Sequence, residues 1–394
     1  MCGLVSNDPL EDDHSEAFVS SGDSYWSLFA VLDGHSGWET SALLRAELIE
    51  TVIKELAQTG FADPSSPDPF AGAITRAFKG LDDKIVHQNV EQALQSKSRS
   101  VAVNLLAPAY AGACALLAFY DAKSSKLRVA LTGDCRAVLG RKRPDGRFDL
   151  EVLTTDQTGF NLDEKKRVEA AHPGEPVVKD GRTMGFGPSR VFGDARWKWS
   201  REVQDKLKKD HLGRTVLDSI KTPPYFTAEP VITTTTVQPG DFLVLATDGL
   251  WECLTNQEVV GLVQNWIQKD EGSQNTWWSW WSLRGLGVTP KNDLPVVGKG
   301  ETMGNNTPDR YRQWSAEKKF VTVDANAATH LIRNSLGGAD EDLREALLSM
   351  RSPRSRAYWF EFINTFIPAT LILMIVFFLF PKGRYYGHCC VFWM

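Results

Sequence analysis

The sequence predicts an α+β fold built on antiparallel strands, and three observations carry that expectation. Apolar runs of strand length end on Asp-Gly or Gly-Asp at YWSLFAVLDG, KLRVALTGD and DFLVLATDG. Strands and helices arrive in consecutive runs, not in the alternation of a doubly wound parallel sheet. Hydrophobic residues make up 42% and charged residues 24% of a 394-residue chain, the balance of a folded protein with a large core.

Tyr25 to Leu32 is apolar and aromatic, too short for a buried helix and suited to a buried strand. DGHSG after it reads as a turn, and Trp38 to Ala57 then shows apolar residues at helical spacing. DPSSPDP (63–69) is a loop, and Phe70 to Leu94 reads as one second helix. Three strands follow, ACALLAFYD, KLRVALTGD and CRAVLGRK, then a short helix at Glu164 to Ala171. Pro173 to Pro188 is Gly/Pro-rich and irregular. EPVITTTTVQ and DFLVLATDG are two more strands, the second again closing on a turn, and helices follow at Asn256 to Gln268, Ala325 to Leu336 and Glu341 to Leu348. Between the first two of these, Glu271 to Lys319 reads as a polar surface insertion holding the aromatic cluster TWWSWWSL, which either contacts a partner or membrane surface or packs onto its own domain.

A net charge of −5 without a long basic run argues against a role coating nucleic acid. The six cysteines (Cys2, Cys114, Cys135, Cys253, Cys389, Cys390) show no CxxC spacing, which argues against a disulfide framework or zinc cluster. No Lys or Arg precedes Arg45, so no N-terminal targeting peptide is readable. At the other end, Phe362 to Pro381 is a run of 20 residues without a charge, the length of a candidate transmembrane helix. Arg351, Arg354 and Arg356 before it and Lys382 and Arg384 after it nearly balance, and Asn364, Thr365 and Pro368 weaken its first half. A tail anchor, a buried core segment, and the product of a retained intron or frameshift are the three readings of this run.

Acidic residues mark four places: Glu11-Asp12-Asp13, Asp33-Gly34-His35, Gly133-Asp134 and Asp248-Gly249. Neighbouring strand ends of one sheet would aim such carboxylates at a common point, where like charges repel unless cations neutralise them. Hard oxygen donors select Mg²⁺ or Mn²⁺ over zinc, and two such ions about 3.5–4 Å apart can activate water for in-line attack on phosphorus. The alternative is that Asp-Gly simply makes hairpin turns. Three such sites after apolar strands, with an acidic triplet besides, favour metal.

EDD (11–13), VLDGHSG (31–37), LTGDCRAVL (131–139), SRVFGDARWK (189–198) and LATDGLWE (245–252) resemble the signature motifs of metal-dependent type 2C (PPM) serine/threonine phosphatases. SNDPLEDDHSE, LDEKKRVEAAHPGE and NAATHLIRNSLGG are similar to the pyruvate dehydrogenase phosphatase branch in its fungal-type form. The resemblance implies a four-layer αββα sandwich over 1–355, with the insertion at 271–319 and an apolar tail at 356–394. It implies Mg²⁺ or Mn²⁺ as cofactor, two ions and in relatives a weaker third. Asp33 would bridge two ions, the Gly34 carbonyl would ligate one and Asp248 the other. Glu11 and Asp12 would hold metal-bound waters, Asp134 would serve the third ion, and His35 would be the general acid. Asp194 is expected to brace the loop below the cleft, and the PSRVFGD stretch with the segment before it to form a flap over the site. The implied substrate is a phosphoprotein, the E1α subunit of pyruvate dehydrogenase, in a mitochondrial setting.

Two departures stand out. Many relatives carry a phosphate-gripping Arg four residues before the acidic pair, where this chain has Asn7. The final strand of the family, introduced by a metal-ligand Asp, is expected after LLSMRSPRSRAY, and Glu361 is the one carboxylate left in the tail. That departure raises a second expectation, a catalytically impaired pseudophosphatase that binds phosphoproteins or tethers to a membrane, and it predicts a sheet lacking its last strand.

Overall fold

The computed structural model describes residues 9–21, 24–61, 68–274, 310–350, 372–378 and 389–393. Strands β1 (Asp13–Ser21) and β2 (Ser24–His35) precede helices α1 (Glu39–Ala57), α2 (Pro69–Asp83), α3 (Asn89–Gln95) and α4 (Arg99–Tyr110). Strands β3 (Gly112–Asp121), β4 (Lys126–Thr132), β5 (Arg136–Lys142) and β6 (Phe148–Val152) follow. Then come α5 (Leu162–Ala171), the small hairpin β7 (Val178–Lys179) and β8 (Arg182–Thr183), β9 (Phe192–Gly193) and α6 (Arg201–Asp210). β10 (Val231–Thr236), β11 (Phe242–Ala246), α7 (Asp248–Trp251) and α8 (Asn256–Gln274) lead to α9 (Arg310–Gln313), α10 (Ala327–Ser335), α11 (Glu341–Ser349), β12 (Ile372–Phe377) and β13 (Cys389–Trp393).

Two antiparallel sheets form, in the orders β1-β2-β3-β4-β10 and β13-β12-β11-β5-β6, with β9 pairing β3 outside the first path. Alternation along the strands sorts side chains between layers. Leu28, Ala30 and Leu32 of β2 pack on Leu44, Leu48 and Val52 of α1. Phe29 and Val31 face the other way, against Leu243, Leu245 and Met374 of the second sheet. Val244 and Ala246 of β11 in turn pack on Val259, Val260 and Val263 of α8 and Leu331 of α10. Helices, sheet, sheet, helices is the expected αββα sandwich.

Local chemistry starts the helices where they begin. Asp68 caps α2 by accepting from the backbone N–H of Phe70 and Ala71 at 3.2 Å, with Pro69 at the first helical position. The same carboxylate takes Arg128 of β4 at 2.9 Å and so ties the helical layer to the sheet. The single helix expected over 70–94 is divided: α2 and α3 are separated by a π-type turn at Lys84–Gln88.

The apolar tail overturns two expectations. Residues 372–377 of the candidate transmembrane helix form β12, which pairs antiparallel with β11 from Phe242↔Phe377 to Ala246↔Leu373. Leu373 and Ile375 join the helix-facing core while Met374 and Val376 join the core between the sheets. A strand covered on both faces needs apolar side chains at every position, so it reads as an unbroken hydrophobic run, as a membrane segment does. Burial of those four side chains is worth roughly 1.5–3 kcal/mol each. The second sheet therefore does not stop at β11, and among the described residues no helix is long and apolar enough to cross a membrane. The Trp cluster of the insertion lies outside the described residues.

Candidate metal centre

β2 does not stop at Leu32. Asp33, Gly34 and His35 continue the strand opposite Cys114, Ala113 and Gly112 of β3, so the expected turn begins only at Ser36. The segment before β1 crosses this strand end at close range. A Cβ on Gly34 would lie 2.0 Å from the Glu11 carbonyl oxygen, which leaves glycine as the residue that fits. Ser41 of α1 donates to that same carbonyl, and the Gly34 N–H donates to Asp12 Oδ1 at 3.2 Å. From the second sheet, Thr247 hydrogen-bonds Asp12 and the Asp248 N–H donates to Asp33. Asp248 opens α7 and so is not the hairpin turn its Asp-Gly sequence predicts.

The electrostatics follow from burial and crowding. Burial drives the Asp33 carboxyl well above the usual carboxylate range, and the charges of Asp12, Asp248 and Asp134 add to it. Asp12 is raised in the same way by burial and by Glu11, against the Gly34 hydrogen bond. Asp248 is raised by burial, Glu252, Asp134 and Asp12. Asp134, on the turn after β4, is pushed up to about 6 by burial and by Asp156, although the Cys114 thiol donates to it at 3.3 Å. Carboxylates gathered out of water at mutual cost are stabilised by cations.

The donor set fits a hard divalent ion. Asp12 Oδ2 and Asp248 Oδ1 are buried without a hydrogen-bond partner, an arrangement a buried oxygen sustains when a cation faces it. Among the described residues no three His, Cys, Asp or Glu side chains close into a ready-made cage. Ions that keep much of their water need few direct protein ligands, so an open cluster suits Mg²⁺ or Mn²⁺.

His35 sits at the edge of this cluster, with Nε2 2.7 Å from Asp194 Oδ2 and both side chains buried. Burial alone would lower the imidazole, but Asp194, Asp134 and Glu11 outweigh it and hold His35 above its ordinary value. Gly112 makes room for the pair: a Cβ there would stand 2.3 Å from His35 Nε2 and 2.7 Å from Asp194 Oδ2. Asp194 is fixed in the left-handed region (φ 45°), donating its N–H to the Ala111 carbonyl at 2.8 Å. Asp194 thus does more than brace a loop, because it touches His35. Nothing in one sequence ties two residues 159 positions apart.

Sequence reasoning also missed a buried ion pair behind Asp248. Arg310, on the far side of the insertion, donates from Nε to Glu252 Oε2 at 2.8 Å, and its backbone N–H meets the Glu252 carbonyl at 3.1 Å. Its charge favours ionised Asp248 while Glu252 opposes it. All six predicted ligand positions, Glu11, Asp12, Asp33, Gly34, Asp134 and Asp248, lie at this one group of strand ends, with His35 beside them.

The chain matches the family model for protein phosphatase 2C over residues 6–277. It is 41% identical to a Schizosaccharomyces pombe protein phosphatase 2C homolog, over 90% of this chain and 76% of that protein. It is 36% identical to the mitochondrial [pyruvate dehydrogenase [acetyl-transferring]]-phosphatase 1 of Saccharomyces cerevisiae, over 90% of this chain and 65% of that protein. Among solved structures, the serine-threonine phosphatase 2C of Toxoplasma gondii is similar at 20% identity and a TM-score of 0.46, covering 68% of this chain and 82% of that one.

Proposed function

This chain belongs to the protein phosphatase 2C family of metal-dependent protein serine/threonine phosphatases, and we propose that within it the chain acts as a pyruvate dehydrogenase phosphatase-like enzyme. The observation that carries the chemistry is a buried, mutually repelling carboxylate cluster with partnerless oxygens on Asp12 and Asp248, set beside a His35 held by Asp194.

Asp33, whose neighbours include Asp12, Asp134 and Asp248, would help hold two cations. The Gly34 carbonyl would ligate one and Asp248 the other. Glu11 and Asp12 would orient water, and Asp134 would serve a weaker third site. When bound, two Mg²⁺ or Mn²⁺ ions neutralise the phosphoryl oxygens and activate water for in-line attack. His35 then gives a proton to the serine or threonine oxygen as it leaves. Asp194 supports that task twice: it favours the protonated imidazole and occupies Nε2, which leaves Nδ1 for the leaving oxygen. Water takes the phosphoryl group directly, without a phospho-enzyme.

The likeness to the yeast enzyme supports the phosphorylated E1α subunit of pyruvate dehydrogenase as substrate and a mitochondrial setting. The non-catalytic alternative drawn from the altered tail finds no support in the family match or in the carboxylate cluster, and the position of the expected last ligand lies outside the described residues. Hydrolysis of phosphorylated E1α compared with an unrelated phosphoserine protein, both with Mn²⁺, tests the proposal. A kcat/KM at least tenfold higher for E1α is expected, whereas equal values would leave a phosphatase of another substrate.

A further inference from the structure

We propose that the buried Asp82–Lys198 pair positions Asp194, and through it His35, for proton donation to the leaving oxygen, an inference that rests on the phosphatase reading above. Proton donation demands geometry, because the donor must come within hydrogen-bond reach of the oxygen it serves. His35 Nε2 is oriented by Asp194 Oδ2 at 2.7 Å. Asp194 itself sits on a loop, Val191 to Lys198, whose β9 segment pairs with β3 at Phe192 and Gly193 and stops one residue short of it. Gly193 and Asp194 are left-handed in succession, at φ 67° and 45°, a sparsely populated arrangement that persists where its surroundings hold it.

Asp82 and Lys198 supply that hold. Lys198 is 7% exposed, and its Nζ donates at 2.8 Å to Asp82 Oδ1, to Asp82 Oδ2 and to the Val191 carbonyl. An ammonium has three hydrogens, so all of them are used by the loop and its clamp. Asp82, in the last turn of α2, also accepts the Gly193 N–H on Oδ1 at 3.0 Å. The pair therefore joins the first residue of the loop to the last and fixes the residue immediately before Asp194. Trp199 Nε1 donates to the Val86 carbonyl at 2.7 Å and ties the exit of the loop to the turn after α2. A buried ion pair is weak evidence for stability alone, since desolvating both charges offsets much of their attraction. This pair spans the ends of the loop that carries Asp194, which gives it a positioning role.

The test uses the full chain with Mn²⁺, the double variant Asp82→Leu/Lys198→Met, Asp82→Asn alone, and Asp194→Asn for comparison. Removing both charges together strands neither, and thermal unfolding checks the fold. Turnover of a phosphoserine peptide is measured against p-nitrophenyl phosphate, whose nitrophenolate leaves without a proton and so bypasses His35. The ratio of the two kcat values, peptide over nitrophenyl ester, should fall about tenfold in the double variant and further in Asp194→Asn. Peptide KM and Mn²⁺ affinity should stay within about twofold of the parent chain, since neither substrate nor ion touches the pair. Asp82→Asn should lower the ratio about threefold, because the amide oxygen still accepts from Gly193 but the charge is gone. It decides by the same ratio where the double variant does not fold. A ratio equal to the parent's in a folded variant overturns the inference, as does an equal fall for both substrates, which would mark a pair that only holds the fold. An unchanged ratio in Asp194→Asn would remove His35 as proton donor, and this inference with it, while leaving hydrolysis in place. A parent chain that turns over neither substrate would overturn the phosphatase reading itself.

Discussion

Among the buried carboxylates of the described residues, Glu164 and the cluster around Asp33 are treated by the fold in opposite ways. Glu164 of α5 accepts from Arg190 Nε at 3.1 Å, Arg167 Nη2 at 2.8 Å and the Ser189 hydroxyl at 2.7 Å. Burial alone would raise it, but these donors pull it down to about 2. Asp12 and Asp33 are as buried as Glu164 and Asp248 is partly buried, yet they face one another, and burial and repulsion push all three up. Glu164 is complete within the protein and acts as a rivet between α5 and the segment after the hairpin. The cluster is incomplete within the protein, and on the function proposed above a cation would complete it. The difference separates a carboxylate kept for the fold from carboxylates kept for chemistry.

The largest effect expected from breaking this contrast is on the cluster. Asp33→Asn should lower metal-dependent phosphoserine hydrolysis by about 10³-fold or more. The same change should raise, not lower, the melting temperature of the metal-free chain by removing a repelling charge, and calorimetry reads this directly. Glu164→Ala should do the reverse on stability, costing about 3–5 kcal/mol in urea unfolding because Arg190 is left buried without its partner. A cost under about 1 kcal/mol would show that the rivet is dispensable.

pH sharpens the comparison because the two signs differ. Glu164 is depressed from 4.5 to about 2, so its contribution is present above about pH 4.5 and is lost as pH falls toward about 2. That contribution is roughly 3 kcal/mol. Asp134 is raised from 3.8 to about 6, so its contribution holds at low pH and is lost as pH rises between those values. Unfolding in chelator across this range should show the decline at higher pH, flattened in Asp134→Asn and reversed by Mn²⁺. The smallest effect belongs to Arg167→Ala. Its side chain is 35% exposed, and the loss in urea unfolding should stay under about 1 kcal/mol.

Much of the site was legible because metal chemistry constrains residue type and strand ends constrain position. An Asp directly after an apolar run, repeated at 33 and 248 with Asp134 behind Gly133, is a pattern that hairpins alone seldom require. The residues that complete the site were not legible, since they come from contacts across the chain. Asp194 reaches His35 only because β9 pairs with β3. Arg310 reaches Glu252 across 58 residues, most of them insertion. Of the readings open for the tail, the buried core segment is the one that fits residues 373–376, and the transmembrane reading fails for a physical reason: Leu373, Met374, Ile375 and Val376 of β12 are buried on both faces, and hydropathy cannot distinguish a core strand from a bilayer segment. The helix expected over 70–94 kept its amphipathic pattern through Lys84–Gln88, where a π-type turn changes the backbone without changing the periodicity enough to show.

The most direct measurement is a Mn²⁺ titration of the chelator-treated chain, following phosphoserine-peptide hydrolysis and melting temperature in the same samples, with Asp33→Asn alongside. A carboxylate cluster completed by cations predicts no turnover in chelator, then turnover and melting temperature rising together with Mn²⁺, and neither response in Asp33→Asn. Turnover that persists in chelator, or a parent chain and Asp33→Asn that respond alike, would contradict it.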